Sequence, residues 1–231
     1  MTATLPAPSV VSALCPDDGY TLLRTPSRTV ARLRGHFASV PADPYVPEGF
    51  RYKSIARVRL HRDRLVAGPH AGLHQSTDVN PTHGGYVRDY PAIPAGLLAE
   101  LTGPVRLFHA AAGLAPGAEV LVQAQRISAC AGPDGDAGQP AVEGFHQDDV
   151  DAVGILVVDR VNVRGGVSML STGPGVEEVA FAGLLEPGRM LVLDDRRLWH
   201  YTSSVRRVRA GVPAYRDVIL FGWPSSRPPS S

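Results

Sequence analysis

Residues 154–161 read GILVVDRV, residues 162–166 NVRGG and residues 167–171 VSMLS. The first and third runs are short and rich in β-branched side chains, and the stretch between them carries turn chemistry. Together they predict a hairpin with a longer loop. The same pattern continues in both directions. Upstream, Glu119–Ile127 (EVLVQAQRI) partly alternates apolar and polar residues, and downstream come Glu178–Leu185, Met190–Leu193, Leu198–Val205 and Val218–Trp223. Strands recurring roughly every 8 to 14 residues with turn signals between them predict a sandwich or jelly roll rather than a βαβ sheet.

The first half of the chain is mixed. Gly19–Phe37 has apolar residues at helical spacing (Leu22, Leu23, Val30, Leu33), which predicts one or two helices interrupted at Pro26. Arg51–Val66 reads as a strand with basic edges. Pro94–Leu101 predicts a helix opened by proline and stopped at Gly103-Pro104, with Leu107–Leu114 extending the helical layer. The fold class is therefore mostly β with flanking helices. We expect residues 1–40 to be a helical or irregular segment packed on the core, residues 41–223 to be the β domain, and the tail 224–231 (PSSRPPSS) to be disordered. The 24 glycines and 21 prolines are spread along the chain, as many short strands joined by turns require.

With 23 basic against 22 acidic residues the formal charge is +1, and no concentrated basic face suggests nucleic-acid binding. Arg196, Arg197, Arg206, Arg207 and Arg209 cluster in sequence, but Asp194, Asp195 and Asp217 lie nearby, so the group reads as a solvated rim. Two cysteines, Cys15 and Cys130, are too few for a disulfide framework. No apolar run approaches the length of a membrane span, and Met1–Val11 lacks the features of a signal peptide. We expect a cytoplasmic protein with reduced thiols, no nucleic-acid partner and no membrane association. Its oligomeric state is not legible.

The sharpest chemical feature is EGFHQD (residues 143–148), followed by a second histidine, His200. In an extended segment, residues i and i+2 project to the same side, so His146 and Asp148 point together. A later histidine would complete two imidazoles and one carboxylate. That set covers one face of an octahedral metal and leaves open positions for oxygen chemistry on Fe(II). His-x-Asp alone is weak, because Asp148, Asp149 and Asp151 could equally form a solvated acidic loop and His200 could end a strand. Order strengthens the reading: Arg216 follows His200 at the head of an apolar strand. A buried guanidinium needs an anionic partner, and a bidentate carboxylate is the natural one. Asp217 is the competing structural partner.

The ordered set His146-x-Asp148, His200 and Arg216 resembles the jelly-roll iron/2-oxoglutarate oxygenases. Its wording is similar to the bacterial 2OG-Fe dioxygenase family that includes the L-isoleucine hydroxylases. The matching stretches are EGFHQD (143–148), RVNVRGGVS (160–168), residues 188–200 and YRDVIL (215–220), with NPTHGGYVRDY (80–90) and Arg51-Tyr52 upstream. Asp149 departs from the glycine expected after the metal aspartate. The resemblance implies a double-stranded β-helix core, Fe(II) held by His146, Asp148 and His200, and O2 as oxidant. 2-Oxoglutarate would chelate the iron, with its distal carboxylate on Arg216. It makes Asn162 and Ser168 candidates to line the cofactor pocket. Glu143 becomes a candidate for a substrate ammonium, and Arg126 and Arg88 for a substrate carboxylate. The implied reaction is hydroxylation of an aliphatic C–H bond of a free amino acid or close derivative, releasing succinate and CO2. An aspartate at the metal disfavours halogenation, because halogenases leave that position open for chloride. The rival readings are a jelly-roll isomerase or zinc hydrolase without oxygen activation, and a binding module that has lost catalysis. Cys130, Trp199 and Trp223 read as packing residues.

Overall fold

The computed structural model describes residues 17–62, 64–74, 84–129, 137–148 and 150–224. Cys15, Cys130, Asp149, residues 80–83 of the upstream motif and the tail from 225 lie outside these. In chain order the elements are β1 (Tyr20–Arg24), α1 (Ser27–His36), β2 (Arg51–His61), β3 (Arg64–Ala67), β4 (Leu73–His74), β5 (Val87–Arg88), α2 (Ala95–Ala99) and α3 (Thr102–Ala112). Then come β6 (Glu119–Ser128), β7 (Ala137–Gly138), β8 (Ala152–Val161), β9 (Val163–Gly165), β10 (Val167–Ser171), β11 (Val179–Leu184), β12 (Arg189–Asp194), β13 (Trp199–Thr202), β14 (Val205–Arg207) and β15 (Tyr215–Trp223).

A seven-stranded antiparallel sheet runs β1-β12-β8-β15-β6-β2-β3. Facing sheets of three strands each, β11-β10-β13 and β7-β14-β9, complete a jelly roll, one of the two architectures the strand pattern predicts and the double-stranded β-helix that the resemblance implies. The near-continuous apolar run of β8 follows from burial on both faces. Ala152, Leu156 and Val158 point outward into a core shared with Leu33, Leu97, Leu101, Val105 and Phe108 of the helical layer. Val153, Ile155 and Val157 point inward, toward Leu170, Leu191 and Leu198. At Gly154 helix α3 comes close to the sheet, since a Cβ there would stand 2.7 Å from the Phe108 ring. Phe108 stacks on Phe221 of β15, with centroids 5.2 Å apart.

Four local expectations are corrected. Tyr20–Arg24 is a strand paired with β12, not part of a helix, and the helix begins only after Pro26. Its apolar residues suit either period, so edge pairing decides. The break in the helical layer falls at Glu100-Leu101, and α3 runs through Gly103-Pro104, because a proline in the first turn forfeits no intrahelical bond. The segment NVRGG does not close a hairpin: β8 belongs to the large sheet and β10 to the small one, with Gly165 and Gly166 at φ +76° and +66° steering the chain between them. Leu198–Val205 divides into β13 and β14, which pair in different sheets.

Candidate active site

His146 lies just before the inner stretch of β8, in a segment held to β13 by a reciprocal backbone pair. Its N–H donates to the His200 carbonyl (3.1 Å), and the His200 N–H donates to the His146 carbonyl (2.8 Å). This pairing brings the two imidazoles to 4.3 Å between centroids. Asp148, two residues on, reaches the same point: its carboxylate oxygens lie 3.8 Å from His146 Nε2 and 3.5 Å from His200 Nε2. One ligand atom from each of His146, Asp148 and His200 falls within 4.8 Å of the others, a spacing that could hold a metal ion. The ring nitrogens are already assigned. His146 Nδ1 donates to the Gly144 carbonyl (2.9 Å) and His200 Nδ1 lies 3.1 Å from Asp195 Oδ1, so both Nε2 atoms face the centre. Such outer partners are what orient metal-bound histidines.

Asp195, which the sequence shows only as an acidic neighbour of the arginine rim, is 1% exposed. Its Oδ2 accepts the Asp148 backbone N–H (2.7 Å) while Oδ1 meets His200, so one carboxylate fixes two of the three metal-facing residues. The local field favours a cation. Burial opposes a charge on His200, yet the hydrogen bonds and charges of Asp148 and Asp195 raise its pKa to about 10. Burial likewise opposes a charged Asp148, but the His200 hydrogen bond and the charges of His200, His146 and Lys53 hold it well below the usual carboxylate range. Arg196, Arg197, Arg206 and Arg209 are exposed, as a rim would be.

The cavity around this centre is lined by Glu143, His146, Asp148 and His200, by Arg216, Val218 and Leu220 of β15, by Gln123, Gln125 and Ile127 of β6, and by Arg51 and Lys53 of β2. Arg216 is 2% exposed, and its Nε and Nη2 have no hydrogen-bond partner among the described residues. Burial, reinforced by Arg160 on the neighbouring strand, pulls its pKa down to about 9. Asp217 is not its partner. It faces the opposite side of β15 and pairs bidentately with Arg126, at 2.7 and 2.8 Å. A guanidinium buried without a counter-ion among the described residues, in a cavity that also holds two imidazoles and a carboxylate, fits a dicarboxylate that bridges them.

The other candidate residues divide. Glu143 lines the cavity, with Oε1 3.6 Å from His146 Nε2, and Arg88 lines it as well. Arg126 does not. On β6 the cavity-facing residues are Gln123, Gln125 and Ile127, and Arg126 points the other way, stacked over the Tyr215 ring at 4.0 Å. The period of two along a strand makes a one-residue difference decisive. Asn162 is also outside the cavity: at φ +52° its side chain donates to the carbonyls of Arg209 and Val212 and accepts the Arg209 N–H, fastening the loop before β15. Ser168 is buried in β10 opposite Thr202, which lines the cavity although Ser168 itself does not.

Sequence reasoning missed Asp195, Arg51 and Lys53. Arg51 is tied to Asp43 at 2.6 Å. Lys53 is 5% exposed, with Nζ 4.3 Å from the centre of the Tyr90 ring, and burial together with Arg51 and Arg88 lowers its pKa to about 7. A signal for it was available. Of the 23 basic residues Lys53 is the only lysine.

A model of the 2OG-Fe dioxygenase family matches residues 34–222. No curated protein matches the chain. Among solved structures, a bsmA homolog from Methylobium petroleophilum PM1 superposes with a TM-score of 0.75 at 23% identity, covering 94% of this chain and 93% of that one. IDO from Bacillus thuringiensis gives 0.65 at 13% identity, covering 93% and 95%. The Fe(II)/(alpha)ketoglutarate-dependent dioxygenase TqaL gives 0.60 at 14%, covering 94% and 90%. At these identities the structures speak for the shared fold, and the family match spans most of the chain. With its jelly roll and its His146, Asp148 and His200 cluster, the chain belongs to the 2OG-Fe dioxygenase family, enzymes that use iron(II) and 2-oxoglutarate.

Proposed function

We propose that the protein hydroxylates an aliphatic C–H bond of a free amino acid or a close derivative, with His146, Asp148 and His200 holding Fe(II) and Arg216 holding the distal carboxylate of 2-oxoglutarate. The observation that carries this reading is the guanidinium of Arg216, buried without a partner among the described residues in the cavity that contains the two histidines and the aspartate. Bound there, iron and 2-oxoglutarate supply the oxidation, with one atom of O2 entering the product and the other entering succinate as CO2 leaves.

The chain's own residues bind, orient and exclude water. Asp148 provides the single negative charge in the ligand set, and Asp195 keeps the His200 Nε2 lone pair aimed inward while anchoring the backbone of Asp148. Val153, Ile155, Val218 and Leu220 form an apolar wall that suits an aliphatic substrate and keeps solvent from the reacting bond. Glu143 lines the same cavity, where its carboxylate would meet a substrate ammonium. The resemblance to L-isoleucine hydroxylases supports the same substrate class.

The test is succinate release from the Fe(II) enzyme supplied with 2-oxoglutarate and O2, screened over free amino acids. At least one should stimulate succinate formation and gain one oxygen atom by mass spectrometry. Succinate formation that no free amino acid stimulates would rule out a free amino acid as the substrate.

A further inference from the structure

We propose that Lys53 is the anion anchor of the substrate subsite, pairing with the carboxylate of a small aliphatic substrate whose ammonium is met by Glu143. The inference rests on the proposed oxygenase reading and assigns a role to a residue that neither the family motif nor the strand pattern identifies.

Charge accounting across the cavity leads to it. Arg51 is neutralised by Asp43. Arg216 would be neutralised by one end of 2-oxoglutarate, and Asp148 with the other end would balance a divalent iron. Arg88 is already engaged within the chain. Apart from these groups, the charged side chains that line the cavity among the described residues are Lys53 and Glu143. Lys53 has no carboxylate within ion-pair distance among the described residues, and its ammonium rests on the face of Tyr90. Arg51, Arg88, Asp43 and Asp148 are the charged groups that act on it. Burial beside two guanidiniums leaves this ammonium under-compensated, so an arriving carboxylate gains more from it than from a solvated lysine. One cation and one anion facing a cavity with an apolar wall match a zwitterion with a hydrocarbon body. In a chain whose other 22 basic residues are all arginine, lysine at this position is a distinct choice. It offers a compact point charge where a planar fork would need more room.

Being the only lysine, Lys53 gives a single side-chain signal in protein labelled with 13C-lysine. The measurement uses the diamagnetic Zn(II) protein saturated with 2-oxoglutarate, titrated with 3-methylbutanoate or with 3-methylbutylamine. The acid should shift the Lys53 signal saturably, and the amine should leave it nearly unchanged. By calorimetry, Lys53→Met should weaken the acid about tenfold or more while leaving the amine and 2-oxoglutarate within about twofold. Glu143→Gln should show the reverse preference. Should Lys53→Met fail to fold, Lys53→Gln replaces it, and the wild-type titration decides on its own. An acid that does not bind, or that binds without moving the lysine signal, overturns the proposal. So does equal binding to Lys53→Met and wild type. Lysine-dependent acid binding alongside failure of every free amino acid in the succinate screen would leave the anchor standing and remove only the amino-acid assignment.

Discussion

Replacing Arg216 with methionine should make the protein more stable and its cosubstrate binding far weaker, and the structure sets both signs. The guanidinium is 2% exposed, with Nε and Nη2 unpartnered among the described residues, and its pKa is pulled down to about 9 by burial and by Arg160. At neutral pH it is charged in both the folded and unfolded chain. The desolvation cost is therefore fully present in the folded state, and methionine removes it. Binding moves the other way. Two charge-assisted hydrogen bonds to a carboxylate contribute about 1.5 to 3 kcal/mol each, so their loss should raise the Kd for 2-oxoglutarate about 10²- to 10⁴-fold. Anaerobic calorimetry with Fe(II) present measures that Kd, and thermal unfolding with and without 2-oxoglutarate measures stability. We expect the variant's Tm without ligand to exceed that of the wild type, and added 2-oxoglutarate to raise only the wild-type Tm. A variant that binds 2-oxoglutarate within about threefold of wild type would refute the clamp. A variant of lower Tm would show that Arg216 has a stabilising partner inside the chain.

Asp195→Ala removes the carboxylate behind His200 and Asp148 and should weaken Fe(II) binding about 10- to 100-fold, read by metal titration of folded protein. Gly166→Ala places a Cβ 3.0 Å from Arg216 Cδ at a backbone φ of +66°. It should raise the KM for 2-oxoglutarate several-fold with little change in Fe(II) affinity. Arg126→Met strands Asp217, which is wholly buried, and should cost about 3 to 5 kcal/mol in chemical denaturation. Adding Asp217→Leu should recover much of that loss. If Arg126→Met instead raised the substrate KM at unchanged stability, the cavity-facing role expected from sequence would be restored.

The chain discloses its chemistry and its fold class more readily than its connections. His146, Asp148, His200 and Arg216 are legible because order and i, i+2 spacing survive any uncertainty about strand ends. The inner and outer rows of β8 are both apolar, so the sequence signals a buried strand without saying which strand lies beside it. The β8–β10 crossover is hidden for that reason: NVRGG has hairpin chemistry, but the pairing partners of β10 lie far along the chain. Tyr20–Arg24 carries apolar residues compatible with a helix, and only the free edge of β12 makes it a strand. Arg126 and Gln125 differ by a single register position, which no composition reveals. Asp195 sits in a run of charged residues that looks solvated, and its burial depends on the distant segment at Asp148 packing over it. Lys53 was detectable by rarity alone, yet its meaning required the cavity.

The central claim is that His146, Asp148 and His200 hold an iron to which 2-oxoglutarate binds. Anaerobic addition of Fe(II) and 2-oxoglutarate to the purified protein tests it directly. A weak visible charge-transfer band should appear in the wild type and be abolished in folded His146→Ala. A well-folded wild-type protein with no band, or a band that persists in His146→Ala, would contradict it.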